Sequence, residues 1–227
     1  IKNEKRVQQV LEWFQLEEHL RPHFVSLYFS DVDHAGHKYG PNSSQLKEAV
    51  SYIDSILENL VVKLKELPLD IDIIFVSDHG MQEVNNNHLF YLSDYIDLKK
   101  VPYIAGEGSV SYLYFTEQNN VHHVYTKLKE CPYIRVYKKQ EIPEYYHLRN
   151  ATNMGDILID VRSPYYMLMH RDAKIRVKGE HGYNPHEEKN MHGIFYAVGP
   201  HFEENKVIPS FENIYVYSIL KRIFNLN

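Results

Sequence analysis

The sequence predicts an α/β fold, and three observations predict it. Short apolar runs of strand length alternate with longer stretches of helical period. The most polar clusters fall just past the ends of those runs, where open α/β sheets present their ligand sites. The chain has 227 residues, 44% of them apolar, which is enough to bury one substantial core, so a single domain over residues 1–227 is expected.

Each element follows from its local pattern. Residues 3–16 place Val7, Val10, Leu11 and Phe14 on one helical face. His23 to Phe29 is a short, aromatic-rich apolar run that predicts a buried strand. The polar stretch Ser30 to Tyr39 follows, closed by Gly40-Pro41. From Asn42 a long helix is expected, capped by Asn42 or one of the next two serines and ended by Pro68. Its apolar positions are Leu46, Val50, Ile53, Leu57, Leu60, Val61 and Leu64. Ile71 to Val76 predicts a second buried strand, so the order to this point is the βαβ order of a parallel sheet. The middle predicts strands at Ser109–Phe115, Ile134–Tyr137 and Ile157–Val161 and a helix at Asn120–Lys129, together an inserted or peripheral α+β layer. Ile194 to Val198 predicts another buried strand, and Phe211 to Phe224 a closing helix.

Composition narrows the chemistry. A net charge of −5 and a pI near 6.3 argue against a nucleic-acid-binding surface. No apolar run approaches the ~18 residues of a membrane span. The single cysteine, Cys131, rules out a disulfide within the chain and a thiolate-rich zinc site. Any metal here must be held by histidine and carboxylate, and the 14 histidines make their spacing worth reading.

Three clusters carry candidate ligands. Asp33 and His37 are four residues apart, a spacing that one helical turn brings onto one face. Taken alone, that spacing is common in solvated loops. Asp78-His79 follows the strand Ile71–Val76 directly, and Gly80 admits the positive φ with which a backbone turns away. His181 lies between Gly179 and Gly182, with His192 as a competitor for any ligand role. Together the clusters offer two carboxylates and three imidazoles on three loops, a donor set that suits a pair of zinc ions. Such pairs stand ~3.5–4 Å apart and clamp both oxygens of an in-line phosphoryl displacement.

At this point the sequence resembles the nucleotide pyrophosphatase/phosphodiesterase family, the type I phosphodiesterases of the alkaline phosphatase superfamily. The resemblance rests on Y-F-S-D-V-D-H-A-G-H-K-Y-G-P from Tyr28 to Pro41, S-D-H-G-M from Ser77 to Met81, and the stretch from His181 to Phe202. It implies an alkaline-phosphatase-like sheet flanked by helices and an extracytoplasmic location. It also implies that Asp33, His37 and His181 hold one zinc, that Asp78 and His79 hold the other, and that Tyr28 sits against the substrate's leaving substituent. The family's Glu-Pro ahead of the first ligand is replaced by Asp31-Val32, which leaves every ligand in place.

The family's threonine nucleophile and sixth ligand, an aspartate, have no counterpart here. Residues 1–22 contain neither Thr nor Asp, and Thr116 and Thr126 stand in unrelated contexts. No catalytic nucleophile is therefore assigned within the chain, which reads as the C-terminal portion of a larger catalytic domain and is expected to be inactive alone. The reaction implied is zinc-dependent hydrolysis of a small phosphodiester or pyrophosphate, in nucleotides, through a covalent phosphoryl-threonine. Two zinc ions, three aspartates and an alkoxide sum to no net charge, which suits a monoanionic diester. The alternatives are a related phosphomonoesterase or phosphonate hydrolase, a phosphodiesterase of choline-containing lipids, and a non-catalytic metal- or nucleotide-binding relative.

Overall fold

The computed structural model describes residues 1–148 and 150–226. In chain order the helices are α1 (Asn3–Phe14), α2 (Asp31–Tyr39), α3 (Ser44–Lys65), α4 (Gln118–Leu128) and α5 (Tyr215–Ile223). The strands are β1 (Ile73–Val76), β2 (Gln82–Glu83), β3 (Leu89–Tyr91), β4 (Tyr103–Ala105), β5 (Val110–Tyr114), β6 (Ile134–Lys138), β7 (Ile157–Val161), β8 (Tyr166–Leu168), β9 (Gly179–Glu180) and β10 (Phe195–Val198). They belong to two compact units, each assembled from separated stretches of chain.

The first unit comprises residues 1–29, 50–79 and those from Gly193 onward. Val7, Val10 and Leu11 of α1 pack with Ile56, Leu60 and Leu64 of α3. Heptad-like spacing on both helices lets one stripe from each meet. Residues 23–29 form no strand among the described residues, contrary to expectation. They still alternate like one: Val25, Leu27 and Phe29 pack on the α1–α3 core, while Phe24 and Tyr28 are exposed. What is missing is a hydrogen-bonding neighbour. The Tyr28 carbonyl instead accepts from the Arg6 side chain at 2.5 Å. β1 pairs with β10 and is antiparallel to it, Ile73 opposite Val198. Both strands were expected to be buried, yet Val76, Tyr196 and Val198 are exposed.

The second unit comprises residues 30–49 and 80–192. Its centre is the antiparallel sheet β4-β5-β7-β6. Every residue of β7 is buried. α4 lays Val121, Val124 and Leu128 against that sheet, in one cluster with Leu113, Ile134, Val136, Ile157 and Ile159. The predicted middle layer is thus α+β, but it is not peripheral: it carries the largest buried cluster among the described residues. β3 and β8 form a parallel pair, and β2 and β9 an antiparallel one. At the start of α3, Ser43 acts as the cap, its Oγ accepting from the Leu46 amide at 3.1 Å. No helix among the described residues is long and apolar enough to cross a membrane.

Candidate metal centre

α2 forms where its sequence complements a helix dipole. Asp31 and Asp33 occupy the first turn, and His37 and Lys38 the last. Gly40, at φ +90°, ends it in a backbone conformation that favours glycine, and its amide donates to the Gly36 carbonyl at 2.9 Å. The four-residue spacing places Asp33 and His37 on one face, with Oδ1 and Nε2 3.4 Å apart.

α2 packs on β9, and small residues make that approach possible. A Cβ on Gly179 would lie 2.5 Å from the Gly36 carbonyl oxygen and 2.9 Å from the Met81 Cγ. The backbone on one side of this contact leaves no room to yield. Gly179→Ala is therefore expected to push β9 off α2, to separate His181 from Asp33, and to lower thermal stability. Thermal melts check this, and a variant equal to wild type would show the contact to be unimportant.

His181 follows β9 directly. Its Nε2 lies 3.8 Å from the same Asp33 Oδ1, and its ring stands 4.9 Å from that of His37. Gly182 turns the chain at φ +92°, and the Ser109 hydroxyl donates to the His181 carbonyl at 2.5 Å. The following residues are anchored as well. Tyr183 is buried and donates to the Tyr165 carbonyl at 2.9 Å, and burial pushes its phenol well above the usual range. Buried Asn184 donates to the Tyr145 and Tyr146 hydroxyls at 3.2 and 3.3 Å.

The polar geometry calls for a cation. Nδ1 of His37 faces the Gly179 carbonyl at 2.9 Å. A carbonyl only accepts, so Nδ1 carries the proton, and in the neutral imidazole Nε2 keeps its lone pair. That lone pair points to Asp33 Oδ1, which is buried and has no hydrogen-bond partner. Two acceptors facing each other without a donor repel, and an ion among them removes the repulsion. Tetrahedral zinc with bonds of ~2.1 Å separates its ligand atoms by ~3.4 Å, close to the spacings here. The residues therefore fit a metal, and the carbonyl behind His37 is the kind of partner that fixes a ligand imidazole.

The structure gathers Asp33, His37 and His181 in the second unit. Glu180 joins them unforeseen. Its carboxylate lies within 4.8 Å of ring nitrogens of His37 and His181, and its Oε1 accepts from the His181 amide at 3.0 Å. Its place beside His181 was the only available signal.

Asp78 and His79 lie together in the first unit, with Oδ1 and Nε2 3.6 Å apart. Ser77 anchors them: its amide donates to the Ile194 carbonyl at 3.1 Å and its hydroxyl accepts from the Ile194 amide at 2.9 Å. Tyr28, also in that unit, is 66% exposed, so its ring face is open to a ligand. Two expectations are corrected. Gly80 does not have a positive φ; glycine is required because a Cβ there would fall 2.0 Å from the Asn190 carbonyl oxygen. His192, the competitor for a ligand role, is not part of the cluster; it is exposed, with Nε2 3.0 Å from the Pro185 carbonyl.

The profile of the family described as type I phosphodiesterase / nucleotide pyrophosphatase matches residues 2–184. The venom phosphodiesterase of Macrovipera lebetinus is 31% identical over 234 residues, which cover 98% of this chain and 27% of that protein. Ectonucleotide pyrophosphatase/phosphodiesterase family member 7 of Mus musculus is 30% identical over 233 residues, covering 97% of this chain and 51% of that protein. The solved structure of murine ectonucleotide pyrophosphatase / phosphodiesterase 5 superposes with a TM-score of 0.89 at 28% identity, covering all of this chain and 60% of that one. A further structure of that murine protein is an inactive form, with one threonine replaced by alanine, in complex with AMP. The chain thus spans from about a quarter to three fifths of the length of the relatives it matches. With the motifs, the mixed α/β architecture and the profile in agreement, the chain belongs to the type I phosphodiesterase / nucleotide pyrophosphatase family.

Proposed function

We propose that residues 1–227 are part of one catalytic domain that hydrolyses phosphodiester or pyrophosphate bonds of nucleotides with two zinc ions. The observation that carries this reading is the buried, partnerless Asp33 Oδ1 facing His37 Nε2 and His181 Nε2 at 3.4 and 3.8 Å. Asp33, His37 and His181 are the ligands of one zinc, and Asp78 and His79 contribute to the other. When bound, the ions supply Lewis acidity and positive charge at the scissile phosphate.

The chain's own residues do the rest. Asp33 and His37 offer two donors from one rigid turn. The Gly179 carbonyl holds the His37 proton on Nδ1, so Nε2 remains a ligand. Tyr28 offers an exposed aromatic face against which a nucleoside stacks. The nucleophile is a threonine outside residues 1–227, a reading supported by the inactive threonine-to-alanine form of the murine relative. The names of the relatives, venom and ecto-, support an extracytoplasmic location.

Zinc titration of the 227-residue chain tests the reading. The wild type is expected to hold one ion tightly at Asp33, His37 and His181. Asp33→Asn keeps the shape and removes the charge, and equal affinity in that variant would remove the assignment. The chain alone is expected to leave a nitrophenyl nucleotide ester intact. Turnover comparable to that of a full-length relative would overturn the location of the nucleophile.

A further inference from the structure

A second polar feature lies in the same unit as the Asp33 cluster and shares none of its ligands. Residues 38–43, 83–86 and 175–178 enclose a cleft of about 550 Å³. Its polar lining includes Lys38, Arg176, Lys178, Asn42, Asn85 and Glu83. Three cations therefore face one carboxylate, and that carboxylate is engaged, accepting from the Asn42 amide nitrogen at 3.2 Å. None of the three cations makes an ion pair among the described residues. Lys38 lies over the Tyr39 ring at 5.0 Å.

The sequence alternation explains how the cations come together. Ala173, Ile175 and Val177 pack against a small apolar cluster with Val84, Tyr166 and Leu168. Their neighbours Lys174, Arg176 and Lys178 are exposed in between. The Lys178 amide then donates to the His37 carbonyl at 2.7 Å, which ties this stretch to the end of α2 and so to Lys38. Uncompensated cations in a concave site, with amide donors beside them, are what a phosphate-type anion requires. The start of α3, which carries no acidic side chain in its first turn, adds to the same field.

We infer that this cleft is an anion subsite for a phosphate-bearing group, separate from the metal ligands. Two sources share that chemistry: the far phosphates of an extended ligand, and a free polyanion such as pyrophosphate.

Calorimetric titration of pyrophosphate into the zinc-stripped 227-residue chain is the test. The wild type is expected to bind, with affinity falling as salt rises. An Arg176→Ala, Lys178→Ala double variant with an unchanged circular dichroism spectrum is expected to bind at least about tenfold more weakly. Arg171→Ala removes a charge of the same sign that is paired with Asp94 through two 2.8 Å bonds, and is expected to bind like wild type. No binding by the metal-free wild type, or equal binding by the double variant, would overturn the subsite. With zinc present, additive binding of AMP and pyrophosphate identifies a free anion as the occupant. A double variant weakened for adenosine tetraphosphate and not for AMP identifies the far phosphates of one ligand. The result does not depend on the metal assignment, because the titration is made without zinc and Asp33→Asn is expected to leave it unchanged.

Discussion

Replacing His181 with alanine is expected to abolish tight zinc binding at the Asp33 site while leaving the fold intact. The two halves of that outcome have separate causes. The fold is expected to survive because two anchors of this residue are made by its backbone: its amide donates to Glu180 and its carbonyl accepts from Ser109. Alanine keeps both, and the imidazole itself is about one-third exposed. Zinc binding fails because only Asp33 and His37 remain of the three proposed ligands. Loss of an outer partner alone costs ~10–100-fold in metal affinity, and loss of a ligand is expected to exceed that. Zinc at 100 times its dissociation constant stabilises a protein by ~2.7 kcal/mol. For a chain of this length that corresponds to a rise in Tm of about 5–10 °C. Melts with zinc and with chelator are expected to differ by that amount in the wild type and to coincide in His181→Ala. A variant that keeps the shift would remove His181 from the ligand set.

The approach of Asp33 to His37 was legible because motif spacing and helical geometry agree. Asp33 and His37 are four apart, and a four-residue spacing becomes a shared face once residues 31–39 form a helix. Helices were legible for the same reason: period and caps are local. What was not legible is what depends on a neighbour. Residues 23–29 have strand-like alternation, yet pairing needs a second backbone at hydrogen-bonding distance. The apolar run at 157–161 conceals Asp160, whose partner lies 25 residues earlier. The cleft cations Lys38 and Lys178 are far apart in sequence and meet only because α2 packs on β9. Gly80 reads as a flexible turn from sequence and proves to be a close backbone contact.

Asp160→Ala is expected to be the most destabilising single change in the second unit, and to loosen the His181 loop as well. Asp160 is buried in β7, directly across the sheet from Arg135 of β6. The Arg135 Nε donates to its Oδ2 at 2.6 Å, and the Tyr146 hydroxyl donates to the same oxygen. Burial pulls the Arg135 pKa down, but the hydrogen bond and charge of Asp160 outweigh it, so the guanidinium holds its proton more tightly than usual. Burial, then the bond to Asp160, raises the Tyr146 phenol above its usual range. Removing the carboxylate leaves a buried cation whose remaining partner, Glu187, is half exposed. Breaking one side of a buried pair costs ~3–5 kcal/mol, whereas replacing both sides with apolar residues is close to neutral. Arg135→Met with Asp160→Leu is therefore expected to recover most of the loss in a denaturant titration. The double variant still deprives Tyr146 of its acceptor. Tyr146 in turn receives the Asn184 amide, three residues past His181. Zinc affinity should thus stay reduced in the double variant even where stability has returned. Recovery of both together would mean that this network supports the fold alone and does not position His181.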